Sequence, residues 1–204
     1  SIAGVLSYDY GTYKIYRDTK ENLPSLKDGG LTPANTSIEK DNEKLSVATY
    51  NMENFSAKTD AAKVEKIAKS IIENLKTPDI VGLVEVQDND GQTDSGTTNA
   101  DETYKVLVDK IKELGGPSYE FTDIAPEDKK DGGAPGGNIR VGYIYNPDRV
   151  TLSEGDKGTA TDAVDYEDGS LTLNPGRIAP DKFPNTRKSL AAEFVFNGEE
   201  VIVI

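Results

Sequence analysis

From Leu45 onward the chain alternates short apolar runs with amphipathic stretches. Leu45-Ser46-Val47-Ala48-Thr49-Tyr50-Asn51-Met52 is rich in β-formers and ends in the polar pair Glu53-Asn54, which predicts a strand. Asp60 then stands where a helix cap belongs. Val64, Ile67, Ala68, Ile71, Ile72 and Leu75 keep helical spacing until Thr77-Pro78 stops it. Asp79 to Val86 follows as a second strand, and its continuous apolar stretch Ile80 to Val84 predicts cover on both faces. This β-α-β order predicts a layered α/β fold. A second helix is predicted from Ala100 to Leu114, with Tyr104, Leu107, Val108 and Ile111 on one face and Gly115-Gly116-Pro117 as its stop. Tyr119 to Ile124 predicts a short strand, and Asn138 to Tyr145 an alternating one. Asn146-Pro147-Asp148 turns the chain into Val150-Thr151-Leu152. Residues 154–187 are polar and predict a long surface excursion. Leu190 to Phe196 and Val201 to Ile204, joined at Asn197-Gly198, predict a closing hairpin.

Ahead of this region, residues 1–16 predict two strands around the turn Tyr8-Asp9-Tyr10-Gly11, either the last hairpin of an upstream β domain or an added edge. Residues 17–44 carry Pro24, Gly29, Gly30 and Pro33 without an apolar period and predict a linker, so the main domain is expected to begin near Leu45. The start Ser1-Ile2-Ala3-Gly4-Val5-Leu6 lacks the basic and apolar regions of a signal peptide, and both ends are expected to be cuts in a longer protein.

Composition narrows the chemistry. The 204 residues suffice for one large domain, able to bury roughly 70% of its unfolded surface. They contain no Cys and no His, which removes thiolate catalysis, zinc ribbons, Ser-His-Asp triads and imidazole ligands. Carboxylate, amide, hydroxyl and guanidinium groups remain. With 36 Asp+Glu against 23 Lys+Arg the net charge is −13, which repels phosphate backbones at long range and favours hard cations such as Mg²⁺ or Ca²⁺. No apolar run approaches a membrane span.

Asn51 and Glu85 close successive core strands, so a layered sheet brings an amide and a carboxylate to one rim, where ligands bind; taken singly, either is an ordinary exit to solvent. Asp88-Asn89-Asp90-Gly91 fails as a calcium loop, with Val86 and Thr97 where acidic ligands belong, and is favoured as a turn. The glycine-rich stretch from Gly132 to Gly137 lacks the Gly-Lys-Ser/Thr of a P-loop and runs into a strand. Arg140 interrupts an apolar strand and Arg187 precedes another. Each is either a salt-bridge partner or a bidentate phosphate clamp. Tyr8, Tyr10, Tyr13 and Tyr16 are favoured as sheet packing over a base-stacking platform.

Three segments in order, Val47 to Phe55, Asp79 to Val86 and Gly136 to Tyr145, resemble the endonuclease/exonuclease/phosphatase superfamily over about residues 45–204. The nearest likeness is to its secreted bacterial nucleases, in which an oligonucleotide-binding-type β domain often precedes the nuclease, and residues 1–16 resemble that domain's end. The resemblance implies half of a four-layer α/β/β/α sandwich, a mixed sheet with helices on one face, preceded by the β-hairpin remnant. It also implies hydrolysis of a phosphodiester by a metal-activated water. Glu85 would then bind Mg²⁺, with Ca²⁺ or Mn²⁺ as substitutes, and Asp88 and Asp90 would be weaker ligands. Asn51 would orient the scissile phosphate. Arg140 and Arg187 match arginines that contact backbone phosphates in pancreatic-type deoxyribonucleases, a likeness extending through Tyr145 to Val150 and Arg187 to Phe194.

The family's Asn-x-His, Asp-x-Asn and Asp-His segments do not occur in the sequence. The expectation is therefore the N-terminal half of an extracellular or cell-wall-attached bacterial DNA/RNA endonuclease, a hydrolase silent as this fragment. A phosphatase or phospholipase of the same superfamily and a non-catalytic surface or adhesion module are the alternatives. A half sandwich would leave the apolar inner face of its sheet open, either to a missing second half or to self-association of two copies.

Overall fold

The computed structural model describes residues 4–17 and 27–204. The chain divides into two compact units, Ser1–Ala34 and Asn35–Ile204. In the first, β1 (Gly4–Asp9) and β2 (Thr12–Arg17) pair antiparallel. Tyr10 and Gly11 at the turn both have positive φ, the geometry that matches strand twist. The pairs Leu6 with Ile15 and Tyr8 with Tyr13 share one exposed face. Of the expected hairpin residues, 1–3 lie outside the described ones, as do 18–26 of the expected linker.

The boundary falls before Asn35, ahead of Leu45, because the later linker residues are bonded into the second unit. The Thr36 amide donates to the Asn74 carbonyl, and Arg149 Nη2 donates to the carbonyls of Asp41 and Lys44.

That unit is built in layers. Helices α1 (Ala61–Lys69) and α2 (Asp101–Glu113) lie on one face of a sheet. Its strands are β3 (Val47–Phe55), β4 (Ile80–Val86), β5 (Glu120–Asp123) and β6 (Arg140–Tyr145), in the order β3-β4-β6-β5. β3 and β4 run parallel, and β4-β6 and β6-β5 antiparallel, so the sheet is mixed as expected. Asp60 caps α1 as its sequence position predicts, accepting from the Ala62 amide. The helix continues into a π-helical turn, Ser70–Asn74, before Lys76 and Thr77 take left-handed conformations that break it. α2 has no capping side chain of its own at Ala100; Asn89 reaches across to accept from the amides of Glu102 and Thr103. Val64, Ile67, Ile71, Leu107 and Ile111 pack onto Val81, Leu83 and Ile144 of the sheet.

A second sheet covers the other face. It contains β7 (Thr151–Leu152), β10 (Gly176–Arg177), β11 (Leu190–Phe196) and β12 (Glu199–Val203), with β8 (Tyr166–Glu167) and β9 (Ser170–Leu171) forming a separate hairpin in the excursion. Leu190, Ala192, Phe194 and Phe196 meet Ile80, Tyr143 and Tyr145 in a core of their own. Tyr143 ties the sheets together by donating its hydroxyl to the Leu190 carbonyl at 2.7 Å.

The expectation of an open inner face, and with it the case for self-association, is therefore corrected over β5, β6 and the start of β4. The closing hairpin buries the apolar surface that two copies would have shared. What stays uncovered is the β3 strip, where Val47, Thr49 and Asn51 are exposed. The excursion is less free than its composition suggested: Asn174 is buried and bonded to both the amide and carbonyl of Glu193. Among the described residues no helix is long and apolar enough to cross a membrane.

Candidate functional site

The parallel pair β3 and β4 brings its C-terminal ends side by side, with Asn51 in register with Val84 and Glu85 next along. Strand alternation alone would turn Glu85 into the helical layer. A bulge prevents it: Val84 pairs Val141 and Val86 pairs Arg140, leaving Glu85 as the extra residue. Leu83 and Val86 thus both reach the helix-side core while Glu85 stays at the rim. Its φ is +65°, a left-handed conformation that a β-carbon disfavours. β3 bends at the same level, where Glu53 and Asn54 have φ of +52° and +58°. Two neighbouring strand ends are thus held in sparsely populated conformations.

Side chains fix this rim. Asn51 Oδ1 accepts from the Glu53 amide at 2.8 Å, bracing the bend, and leaves the Nδ2 hydrogens without a protein acceptor among the described residues. Lys63 of α1 donates to the Glu53 carbonyl at 2.9 Å and pairs with its carboxylate at 3.3 Å. From the second sheet, Arg187, just before β11, brings Nη2 to 3.9 Å from Glu85 Oε1. That is a loose contact between side chains 37% and 23% exposed, so both groups remain accessible. Asn51, Glu85 and Arg187 therefore meet at one edge of the layers. Thr49, Asn51, Glu53, Lys63 and Lys66 also line a cleft of about 590 Å³ that begins at Asn51.

Arg140 is placed differently from the phosphate contact expected of it. It is 1% exposed and points to the helix side, opposite Val86. Nη1 donates to Asp123 Oδ2 at 3.0 Å, and Nε and Nη2 donate to the Asn138 carbonyl at 3.3 and 3.1 Å; Nη2 also meets the Thr98 carbonyl. Its donors are committed inside the protein, where it braces the loops flanking β4.

Asp88 also turns inward. Fully buried, it accepts from Asn138 Nδ2 at 3.1 Å and from the Asp90 amide at 3.2 Å. Burial is the main force pushing its carboxyl up to about 6, and neighbouring Asp90 adds to it. Asp90 is held below the usual range, first by a hydrogen bond with Ser95. Both thus serve the loop after β4. The glycines of the 132–137 loop are there for backbone: a β-carbon on Gly136 would meet Asp94 backbone at 2.8 Å, and its φ is +79°.

A hard cation fits Glu85 by ligand type, since Mg²⁺ is satisfied by one or two carboxylates and keeps its other positions for water. Among the described residues no group of three or more acidic, His or Cys side chains converges on a point.

No protein-family model matches the chain, and no curated protein matches it. Among solved structures it is similar to a crystal structure of D. rerio TDP2 humanised by 14 mutations, with 17% identity and a TM-score of 0.37. TDP2 belongs to the endonuclease/exonuclease/phosphatase superfamily. The match covers 78% of this chain and 44% of that one, so the chain spans less than half of the structure it resembles. A likeness of that size says nothing of substrate.

Sequence patterns had marked Asn51, Glu85 and Arg187, but not that Arg187 would face Glu85. The bulge at Glu85 left no trace, because Val84 and Val86 are both apolar and the alternation does not visibly slip. Lys63 and Lys66 went unmarked as ordinary polar positions of an amphipathic helix.

Proposed function

We propose that this chain is the N-terminal half of the catalytic layer of a metal-dependent phosphodiesterase that cuts DNA or RNA, and that it acts outside a bacterial cell or attached to its wall. The observation that carries the chemistry is the meeting of Glu85, Asn51 and Arg187 at one rim, with Glu85 turned there by a left-handed bulge. A carboxylate, an amide donor and a guanidinium are the groups a phosphodiester needs from this side. When bound at Glu85, Mg²⁺ would supply charge neutralisation of the phosphate and a more acidic water. Asn51 Nδ2 donates to a phosphate oxygen, and Arg187 offers two parallel donors to the same group or its neighbour. The nucleic-acid substrate and the extracellular location rest on the motif resemblance.

The sequence holds no histidine. The imidazole base that the motif resemblance implies is not supplied by these residues, and the chain alone is expected not to nick plasmid DNA. Two assays test the proposal. In the protein that carries this chain, Glu85→Gln should reduce Mg²⁺-dependent plasmid nicking by about a thousandfold, the scale of lost transition-state charge stabilisation. In the isolated chain, Mn²⁺ should broaden backbone NMR signals around Glu85 and not in the Glu85→Gln variant. Release of inorganic phosphate from monoesters in place of strand nicking, or nicking unchanged by Glu85→Gln, would refute it.

A further inference from the structure

A second cavity, of about 260 Å³, shares no lining residue with the Glu85 rim. Asp131, Arg177 and Lys188 line it, and each is at least nine-tenths buried. They arrive from three parts of the chain: the loop before β6, strand β10 and the approach to β11. A β-carbon on Gly132, whose φ is +72°, would stand 2.5 Å from the Asn185 carbonyl oxygen, so the loop comes this close only with glycine there. Arg177 Nη2 lies 2.8 Å from Asp131 Oδ2, and Lys188 Nζ lies 3.0 Å from Oδ1. The Arg177 contact is ionic without being a directed hydrogen bond. Its Nη1 and Nη2 donate instead to the carbonyls of Ala160 and Ile124, at 3.1 and 3.2 Å, and Asp131 Oδ2 has no hydrogen-bond partner among the described residues. Lys188 Nζ also donates to the Thr186 carbonyl at 2.7 Å.

Two buried cations thus share one buried carboxylate, and among the described residues no second carboxylate comes within ion-pair distance of either. At the mouth the charges cancel: Asp181 pairs with Lys182 at 2.7 Å, and exposed Glu127 is offset by exposed Lys130. One positive charge on the cavity floor is left without a counterpart, an arrangement that is costly unless an anion enters from solvent. The cavity is smaller than the roughly 300–1,000 Å³ that holds drug-sized molecules, so only a compact group fits. Guanidinium, ammonium, the Thr161 hydroxyl and the Asn185 amide offer donors from several sides, which suits the oxygens of a tetrahedral anion better than a halide. We propose that this cavity is an oxyanion site of the phosphate class, held by Arg177 and Lys188, with Asp131 fixing the two cations and limiting the affinity. The occupant is either inorganic phosphate or a phosphate group of a larger molecule such as a nucleic-acid strand. This goes beyond the phosphodiesterase reading and does not depend on it: Arg187 and Lys188 are consecutive, yet the first faces Glu85 and the second Asp131.

The test titrates inorganic phosphate into the chain and follows backbone amides by NMR, with potassium chloride at matched ionic strength as the control. Saturable shifts should appear at Asp131, Ala160, Thr161 and Lys188, and not at Glu85. Lys188→Met should abolish them. Asp131→Asn should do the opposite and tighten phosphate binding by about tenfold, since one charge a few ångströms away changes an ionic equilibrium by that order or more. A purely structural triad gives no such reversal of sign. Lys105→Gln, a change of charge on α2, should have no effect. Adding a short single strand to the phosphate-saturated chain separates the two sources: displacement of phosphate with new shifts at the same amides identifies a strand's phosphate as the occupant, and unchanged shifts identify free phosphate. The mapping on the unaltered chain needs no variant, so a variant that fails to fold leaves the proposal testable. Shifts equal to those in chloride, shifts scattered over exposed lysines, or weaker binding in both Lys188→Met and Asp131→Asn would overturn it, and the reading of the Glu85 rim would stand.

Discussion

Arg140 offers the sharpest test of what this structure says against what its sequence suggested. Replacing it with Met keeps the length and apolar stem but removes every donor. Asp123, whose side chain is 10% exposed, then loses its contact at 3.0 Å and keeps, among the described residues, Lys157 at 3.6 Å. The carbonyls of Asn138 and Thr98 lose their charged donor as well. Breaking a buried pair from one side typically costs about 3–5 kcal/mol, because the remaining charge stays buried without a counterpart. Against a usual domain stability of about 5–15 kcal/mol that is a large fraction. With a urea m-value of about 2 kcal/mol/M, the unfolding midpoint should fall by about 2 M. Urea titration followed by far-UV circular dichroism measures it, since the chain has no Trp. The double variant Arg140→Met with Asp123→Asn should recover part of the loss, as no unpaired carboxylate is left. A variant that unfolds with the parent yet binds nucleic acid more weakly would refute the structural role and return Arg140 to the phosphate.

Three further outcomes are expected. At the left-handed Glu85, Gly carries no β-carbon penalty, so Glu85→Gly should be more stable than Glu85→Ala by about 1 kcal/mol in urea, a reversal of the usual order inside a strand. Asp88 sits near 6 in the folded state against an ordinary 3.8, so the folded chain binds the extra proton and is favoured below 3.8. That stability, up to about 3 kcal/mol, drains away as pH rises through 6; urea midpoints at pH 5 and 7.5 should differ accordingly and converge in Asp88→Asn. Asp60→Ala removes the acceptor for the Ala62 amide and should cost about 1 kcal/mol by the same titration, with Asp60→Ser retaining most of it.

The sequence by itself determined the elements that local physics dictates. The cap at Asp60, the helical spacing from Val64 to Ile71, the apolar run from Ile80 to Val84 and the turn at Asn197-Gly198 each depend on neighbours a few residues away, and each appears where the pattern put it. It also marked Asn51 and Glu85, because polar residues closing apolar strands stand out in a one-dimensional pattern. Tertiary structure decided the rest, where the deciding partner lies far along the chain. Arg140 and Arg187 look alike in sequence, yet one lands opposite Val86 among buried acceptors and the other 3.9 Å from Glu85, because strand register and layer order send them to opposite faces. The closing hairpin read as a simple turn and proved to be the cover for an apolar face, through contacts such as Phe194 with Tyr145 that no local pattern contains. Glu85 itself needed both: its identity was legible, but its position at the rim came from one unpaired residue in the β4-β6 ladder.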